Sequence, residues 1–239
     1  MDTETRRPDE EIPFFNPLPT AERPLAGLTV LVVEDSRFAS EALRLMCLRS
    51  GARIRRADCL ASAHRHLNTY RPSVAIVDLG LPDGSGLSLI DEMHGSNPRV
   101  PVLLATSGAE RNAAAKAALN AGADGFLPKP MDSLTFFQTE ILRHLPDHMQ
   151  PSGPRSMDTL VIYPDRLALR EDFIHALDLL DQDPLPTDYL QRFLMGIARS
   201  ATDTGLLETA RALPARLTHA DRANLRTLLA DRVAGMEAV

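Results

Sequence analysis

Asp78 closes an apolar run, "AIVDLGLPDGSG" (75–86), with a Pro-Asp-Gly turn directly behind it. A carboxylate at the last residue of a buried strand must be solvated, paired or used. Glu34 and Asp35 end a second apolar run, "TVLVVED" (29–35). Thr106 and Ser107 end a third, "PVLLATS" (101–107), and Lys129 with Pro130 follows "DGFLP" (124–128). Three acids brought together repel, and the usual resolution is a hard cation with oxygen ligands such as Mg²⁺. With that charge neutralised, Asp78 can act as a carboxylate nucleophile toward a phosphoryl group. Lys129 then faces the phosphoryl oxygens and Thr106 donates a hydrogen bond to one of them. Singly, each residue has an ordinary explanation as a cap, a turn residue or a solvated side chain. Jointly, they sit at the ends of successive strands, where chemistry collects.

That convergence requires a scaffold whose strands all point their carboxyl ends to one edge. From residue 28 onward, short apolar runs alternate with amphipathic stretches, the pattern of βα units around a parallel sheet. Strands are predicted at 29–33, 53–57, 74–78, 101–105 and 124–128, with helices at about 37–49, 60–70, 86–94, 111–121 and 132–144. Gly51, Pro72 and Gly122 punctuate the helix ends. In such a doubly wound α/β sheet, ligands bind outside the carboxyl ends of the strands, near the switch in strand order.

The segments "VVED" (32–35), "AIVDLGLPDGSG" (75–86), "LLATSG" (103–108) and "GADGFLPKP" (122–130) follow one another as in the receiver domains of two-component response regulators, which residues 28 to about 145 resemble. The resemblance implies a flavodoxin-like sheet of order 2-1-3-4-5. It places Asp78 as phosphoacceptor and implies that Glu34, Asp35, Asp78 and the Gly80 carbonyl hold Mg²⁺. Thr106 and Lys129 match the family's switch hydroxyl and lysine, and Phe126 its switch aromatic, here without the hydroxyl of the frequent tyrosine. Glu34 stands where aspartate is commoner, but it keeps the acid. A cis Lys129–Pro130 bond is also implied. The implied partner is a histidine kinase or phosphotransfer protein, with the receiver catalysing its own phosphorylation.

Residues 1–25 are polar, acidic and Pro-rich and read as a mobile tail, with Phe14 and Phe15 as candidate docking residues. The receiver is expected over 26–146 and a Pro/Gly/Ser-rich linker over 147–158. About four helices are expected over 159–239, where no convincing strand interrupts helical periodicity. From residue 151 onward there are ten arginines, no lysine and thirteen acids, a net charge of −3 where phosphate contacts need the opposite sign. Neither a winged-helix strand pair nor a short Gly-containing helix-turn-helix is visible. A helical protein-interaction or dimerisation region is therefore the main reading. The alternative is a phosphorylation-controlled transcriptional regulator with divergent DNA-binding helices. His175 and His219 stand alone, without metal-ligand spacing or a nucleophile partner, so no separate enzymatic output is expected. "RFLMG" (192–196) faintly resembles the core of histidine phosphotransfer domains: Leu194 and Gly196 match, while Arg192 stands in the histidine's place and Met195 in the lysine's.

The whole chain carries −6, and only Lys116 and Lys129 of its 26 basic residues are lysines. Cys47 and Cys59 lie in apolar or amphipathic segments and read as buried thiols rather than a disulfide or metal site. No run reaches the roughly 18 apolar residues of a membrane span, and "MDTETRRPDEE" lacks a secretory signal's apolar stretch. A cytoplasmic location is the default expectation.

Overall fold

The computed structural model describes residues 17–153 and 161–237. Its first half contains β1 (Thr29–Val33), α1 (Arg37–Arg49), β2 (Arg53–Ala57), α2 (Leu60–Thr69), β3 (Val74–Asp78), a two-residue-stranded hairpin β4 (Gly80–Leu81) and β5 (Gly84–Ser85), and α3 (Gly86–Gly95). It continues with β6 (Val102–Ser107), α4 (Arg111–Asn120), β7 (Gly125–Pro128) and α5 (Leu134–His144). The main sheet has five strands in the order β2-β1-β3-β6-β7, all paired parallel. This is the α/β architecture and the order that the resemblance implied.

The central strands β1, β3 and β6 are buried on both faces, which is why they read as continuous apolar runs rather than alternations. Edge strand β2 keeps only Ala57 fully buried, and its arginines face outward. Two apolar layers result. One face of the sheet packs on α1 and α5 through Val30, Val32, Met46, Phe137 and Ile141; the other packs on α2, α3 and α4 through Leu31, Val77, Ile90 and Ala118. Side-chain caps start the helices: Ser36 for α1, Ser85 for α3, Glu110 for α4 and Ser133 for α5. Gly51 and Gly122 follow α1 and α4 with φ of 85° and 97°, the left-handed stop that glycine permits.

Two parts of the expected organisation look different in three dimensions. Leu25, the last residue of the stretch read as a tail, is fully buried, and its N–H donates to the Ser50 carbonyl. Beyond α5, the described part of the expected linker forms a short 3₁₀ turn, Asp147–Met149, and Met149 packs on the sheet core. Phe14, Phe15 and residues 154–158 lie outside the described residues. Val161 bridges to Ser133, and Ile162 is buried against the same core.

Four helices follow: α6 (Arg166–Leu180), α7 (Thr187–Ser200), α8 (Thr204–Ala212) and α9 (His219–Glu237). They match the all-α region expected. Asp165 caps α6 and Asp203 caps α8. Their shared core includes Phe173, Leu180, Leu190, Phe193, Ile197, Leu206 and Leu229. Phe38, from the first turn of α1, belongs to this core. The receiver half thus supplies a side chain to the helical half, so the two pack through apolar contact as well as polar bonds. None of the described helices is long and apolar enough to cross a membrane.

Candidate functional site

Parallel pairing fixes where the strand ends meet. Asp78 of β3 is the Cα partner of Thr106 of β6, and Thr106 in turn is paired with Leu127 of β7, two residues before Lys129. Glu34 and Asp35 continue β1 on the other side of β3. One carboxylate oxygen from each of Glu34, Asp35 and Asp78 lies within 4.8 Å of the others. The turn behind Asp78 is held by close approach. A methyl group on Gly86 would lie 2.0 Å from the Asp78 carbonyl oxygen, so only glycine fits there. Asp83, in the same turn, accepts from the Leu60 and Ala61 amides and thereby caps α2.

Lys129 Nζ reaches between two acids, 2.7 Å from Glu34 Oε2 and 3.3 Å from Asp78 Oδ1, across a cis Lys129–Pro130 bond. The Gly80 amide donates to Asp78 Oδ2 at 3.2 Å, and the Ser36 amide to Glu34 Oε1 at 3.3 Å. Thr106 is fully buried, yet its hydroxyl has no hydrogen-bond partner, and Asp78 Oδ1 has only the lysine's charge beside it. Phe126 is half-buried, on the side of β7 that faces Ser107 and Arg199 across a small cavity.

The electrostatics are those of a site short of positive charge. Burial pushes the Glu34 carboxyl well above the usual range; Lys129 pulls it back, and Asp78 and Asp35 push it further up. Burial, then the charge of Asp78, raises Asp35 to about 7. Burial opposes the Lys129 charge, but Asp78 and Glu34 outweigh it and hold the ammonium above its ordinary value. An all-oxygen set of clustered carboxylates, two of them resisting ionisation, suits a hard divalent cation. The orphaned Thr106 hydroxyl and the Lys129 ammonium are donors that suit an oxyanion beside Asp78.

The C-terminal helices close the site from above, a contact the sequence reading did not foresee. Tyr189 in α7 donates its hydroxyl to Asp35 Oδ2 at 2.8 Å; burial and the Asp35 charge hold the phenol far above its ordinary value, so it keeps that proton. Asp172 in α6 accepts from the Ser36 hydroxyl and from the Arg37 and Phe38 amides, at 2.6, 2.7 and 3.1 Å. Arg192 runs beside Gly80, and Gly196 lies against Gly108. The "RFLMG" segment was a signal for this, since it singled out Arg192 and Gly196. Asp172 and Tyr189 carried none, because an acid or a tyrosine on an amphipathic helix is commonplace. An open groove of about 940 Å³ between the two halves reaches Glu34 and Asp35 from the α2 side, past Asp58, Asp172 and Tyr189. His175 stacks edge-on against Phe193, with ring centroids 5.2 Å apart, and serves packing. Cys47 is buried and Cys59 half-buried, both as free thiols.

Residues 30–139 match the family model of the response regulator receiver domain. Over 103 residues the chain is 39% identical to the virulence transcriptional regulatory protein PhoP of Salmonella typhimurium (strain LT2), covering 43% of this chain and 46% of that protein. It is 36% identical over 103 residues, with the same shares covered, to the transcriptional regulatory protein PhoP of Escherichia coli K12. The chain thus matches about half the length of these curated relatives. Among solved structures, the signal receiver domain of a DNA-binding response regulator from Colwellia psychrerythraea aligns with a TM-score of 0.44 and 24% identity, over 48% of this chain and 96% of that one. A two-component response regulator from Clostridium difficile aligns with a TM-score of 0.44 and 20% identity, over 48% and 96%. Residues 30–139 form a receiver domain of the two-component response regulator family.

Proposed function

We propose that this protein is a cytoplasmic phosphorelay regulator that takes a phosphoryl group on Asp78 from the phosphohistidine of a histidine kinase or phosphotransfer protein. An Asp78 carboxylate oxygen attacks phosphorus. The phosphorus–nitrogen bond to the donor imidazole breaks, its electron pair stays on that nitrogen, and an acyl phosphate remains on Asp78. Lys129 and the Thr106 hydroxyl take the phosphoryl oxygens, and the Gly80 amide orients the attacking carboxylate. Mg²⁺, held by Glu34, Asp35, Asp78 and the Gly80 carbonyl, supplies charge neutralisation when bound. Thr106 moves toward the new oxyanion and Phe126 follows it, which carries the change to the α4-β7-α5 face.

The observation that carries this reading is the pairing of Asp78 with an orphaned Thr106 hydroxyl on the neighbouring strand and with Lys129 at 3.3 Å. A small phosphodonor such as phosphoramidate, with Mg²⁺, is expected to add one phosphoryl group that is stable to acid and labile to base. Intact mass measurement on wild type and Asp78→Asn tests it. An undiminished adduct on the Asn variant moves the chemistry elsewhere.

The helical region is read as a protein-interaction or dimerisation module. The relatives' printed names favour a second reading, a transcriptional regulator, but those names describe whole proteins of which less than half is matched. The charge of −3 from residue 151 onward works against duplex binding. The phosphorylated full chain is expected to show no retention of duplex DNA in a gel-shift series at physiological salt.

A further inference from the structure

We infer that α7 is a lid built into this chain: its Tyr189, Arg192 and Gly196 form the outer wall of the phosphoacceptor site, and the helix must move aside before a phosphodonor, small or protein-borne, can reach Asp78. The inference rests on the phosphoacceptor reading of Asp78. Residues 189, 192 and 196 share one helix face by their spacing, and all three meet the strand ends. Tyr189 bonds Asp35, the Arg192 Cβ lies 3.5 Å from where a Cβ on Gly80 would stand, and a Cβ on Gly196 would lie 3.7 Å from Lys129 Nζ.

The contact is tightest at two glycines. A methyl group on Gly108 would stand 2.4 Å from the Gly196 Cα and 2.6 Å from its nitrogen, so the helix backbone rests directly on the loop after β6. Asp78 is left 6% exposed and Thr106 not at all. Asp78 must meet phosphorus in line with the bond that breaks, and a donor has no such approach past that backbone. The cation's path differs: the open groove, with Tyr189 in its wall, reaches Glu34 and Asp35, and Asp78 does not line it.

Three further anchors hold the lid. Asp172 caps the first turn of α1, Arg37 pairs with Glu171 at 3.0 Å, and Phe38 inserts into the helical core. All three engage the loop and first turn that follow Asp35. A phosphoryl group on Asp78 adds charge and bulk under Gly196 and beside the Tyr189–Asp35 bond, so the lid and the modified acceptor compete for the same space.

Gly108→Ala separates the lid from the site, because the three nearest heavy atoms to the new methyl all belong to Met195 or Gly196 and none to the receiver. Full-length wild type and Gly108→Ala are treated with phosphoramidate and Mg²⁺, adduct formation is followed by intact mass, and amide hydrogen exchange is read over α7. The lid predicts faster exchange in Thr187–Ser200 of the variant and adduct formation about fivefold faster or more. It also predicts that wild-type exchange over α7 rises on phosphorylation. Phe38→Ala, which removes the apolar anchor and keeps the site, is expected to repeat the result and guards against a folding defect in the first variant. Unchanged α7 exchange in both variants overturns the lid, as do equal adduct rates with α7 loosened. No adduct on any of the three proteins overturns the phosphoacceptor reading, and the lid with it.

Discussion

Asp172 Oδ2 lies 2.6 Å from the Ser36 hydroxyl, joining α6 to the loop that carries Glu34 and Asp35 across 136 residues of sequence. The same carboxylate takes the Arg37 and Phe38 amides, so a side chain from the helical half caps a receiver helix at its N-terminus. Burial nevertheless outweighs these bonds and raises the carboxyl to about 6. For an acid raised on docking, the docked state binds the extra proton. Docking is therefore strengthened as pH falls through about 6 and weakened as pH rises through it, with nothing further gained below the free value. Exchange over α6 and α7 measured between pH 4 and 7 should show this slope below about 6 and level off above it, against the pH dependence of intrinsic exchange, and Asp172→Asn should remove this component. Of the charged groups near Asp172, Lys129 pulls its pKa down, and Glu171, Glu34 and Asp35 lie on the elements around it.

Removing the Asp172 carboxylate altogether strips one hydroxyl and two amides of their acceptor. Asp172→Ala should destabilise the docked form by about 1–3 kcal/mol, the cost of leaving buried donors unmade. Urea melts followed separately by probes in each half should lose coincidence if the helical half undocks first.

Mg²⁺ bound by the acid cluster should stabilise the folded chain. At a hundred times its dissociation constant, the ion should add about 2.7 kcal/mol and raise the melting temperature by roughly 5–10 °C. Asp35→Ala should abolish that rise, and chelation should block adduct formation on wild type. A calorimetric scan with and without Mg²⁺ on both proteins is the check.

Thr106 offers a trade between stability and response. Its hydroxyl is buried and unpartnered, so Thr106→Val should stabilise the unphosphorylated protein by about 1 kcal/mol. The same variant should still be phosphorylated on Asp78 and still loosen α7, which the phosphoryl group displaces directly, but it should not transmit the change to the α4-β7-α5 face, read by amide exchange over α4 and α5.

Cys47 and Cys59 should separate cleanly under a thiol reagent. Burial pushes the Cys47 thiol up to about 12, and it lies wholly inside the sheet core. Cys59 lines the open groove between the halves. At pH 8 one thiol should label in the native protein and two after denaturation. Labelling at Cys59 should quicken in Gly108→Ala if the groove widens when α7 lifts.

The receiver was legible in the sequence because its information is local. Short apolar runs name β1, β3 and β6, glycine and proline stops bound the helices, and the acids at the strand ends need only the parallel topology to meet. The four C-terminal helices were legible for the same reason, by their helical period. Small errors fell where locality fails: β6 runs on through Ser107, and Leu25 anchors a segment whose composition is that of a tail. What the tertiary structure alone decided is the meeting of the two halves. Asp172 with Ser36, Tyr189 with Asp35 and Gly196 with Gly108 are joined across 88 to 154 positions. No periodicity records such pairs, because each residue is an unremarkable member of its own helix or loop. Only the packing of one folded surface on another, set by the summed shape and burial of many side chains such as Phe38 and Phe173, brings them within reach.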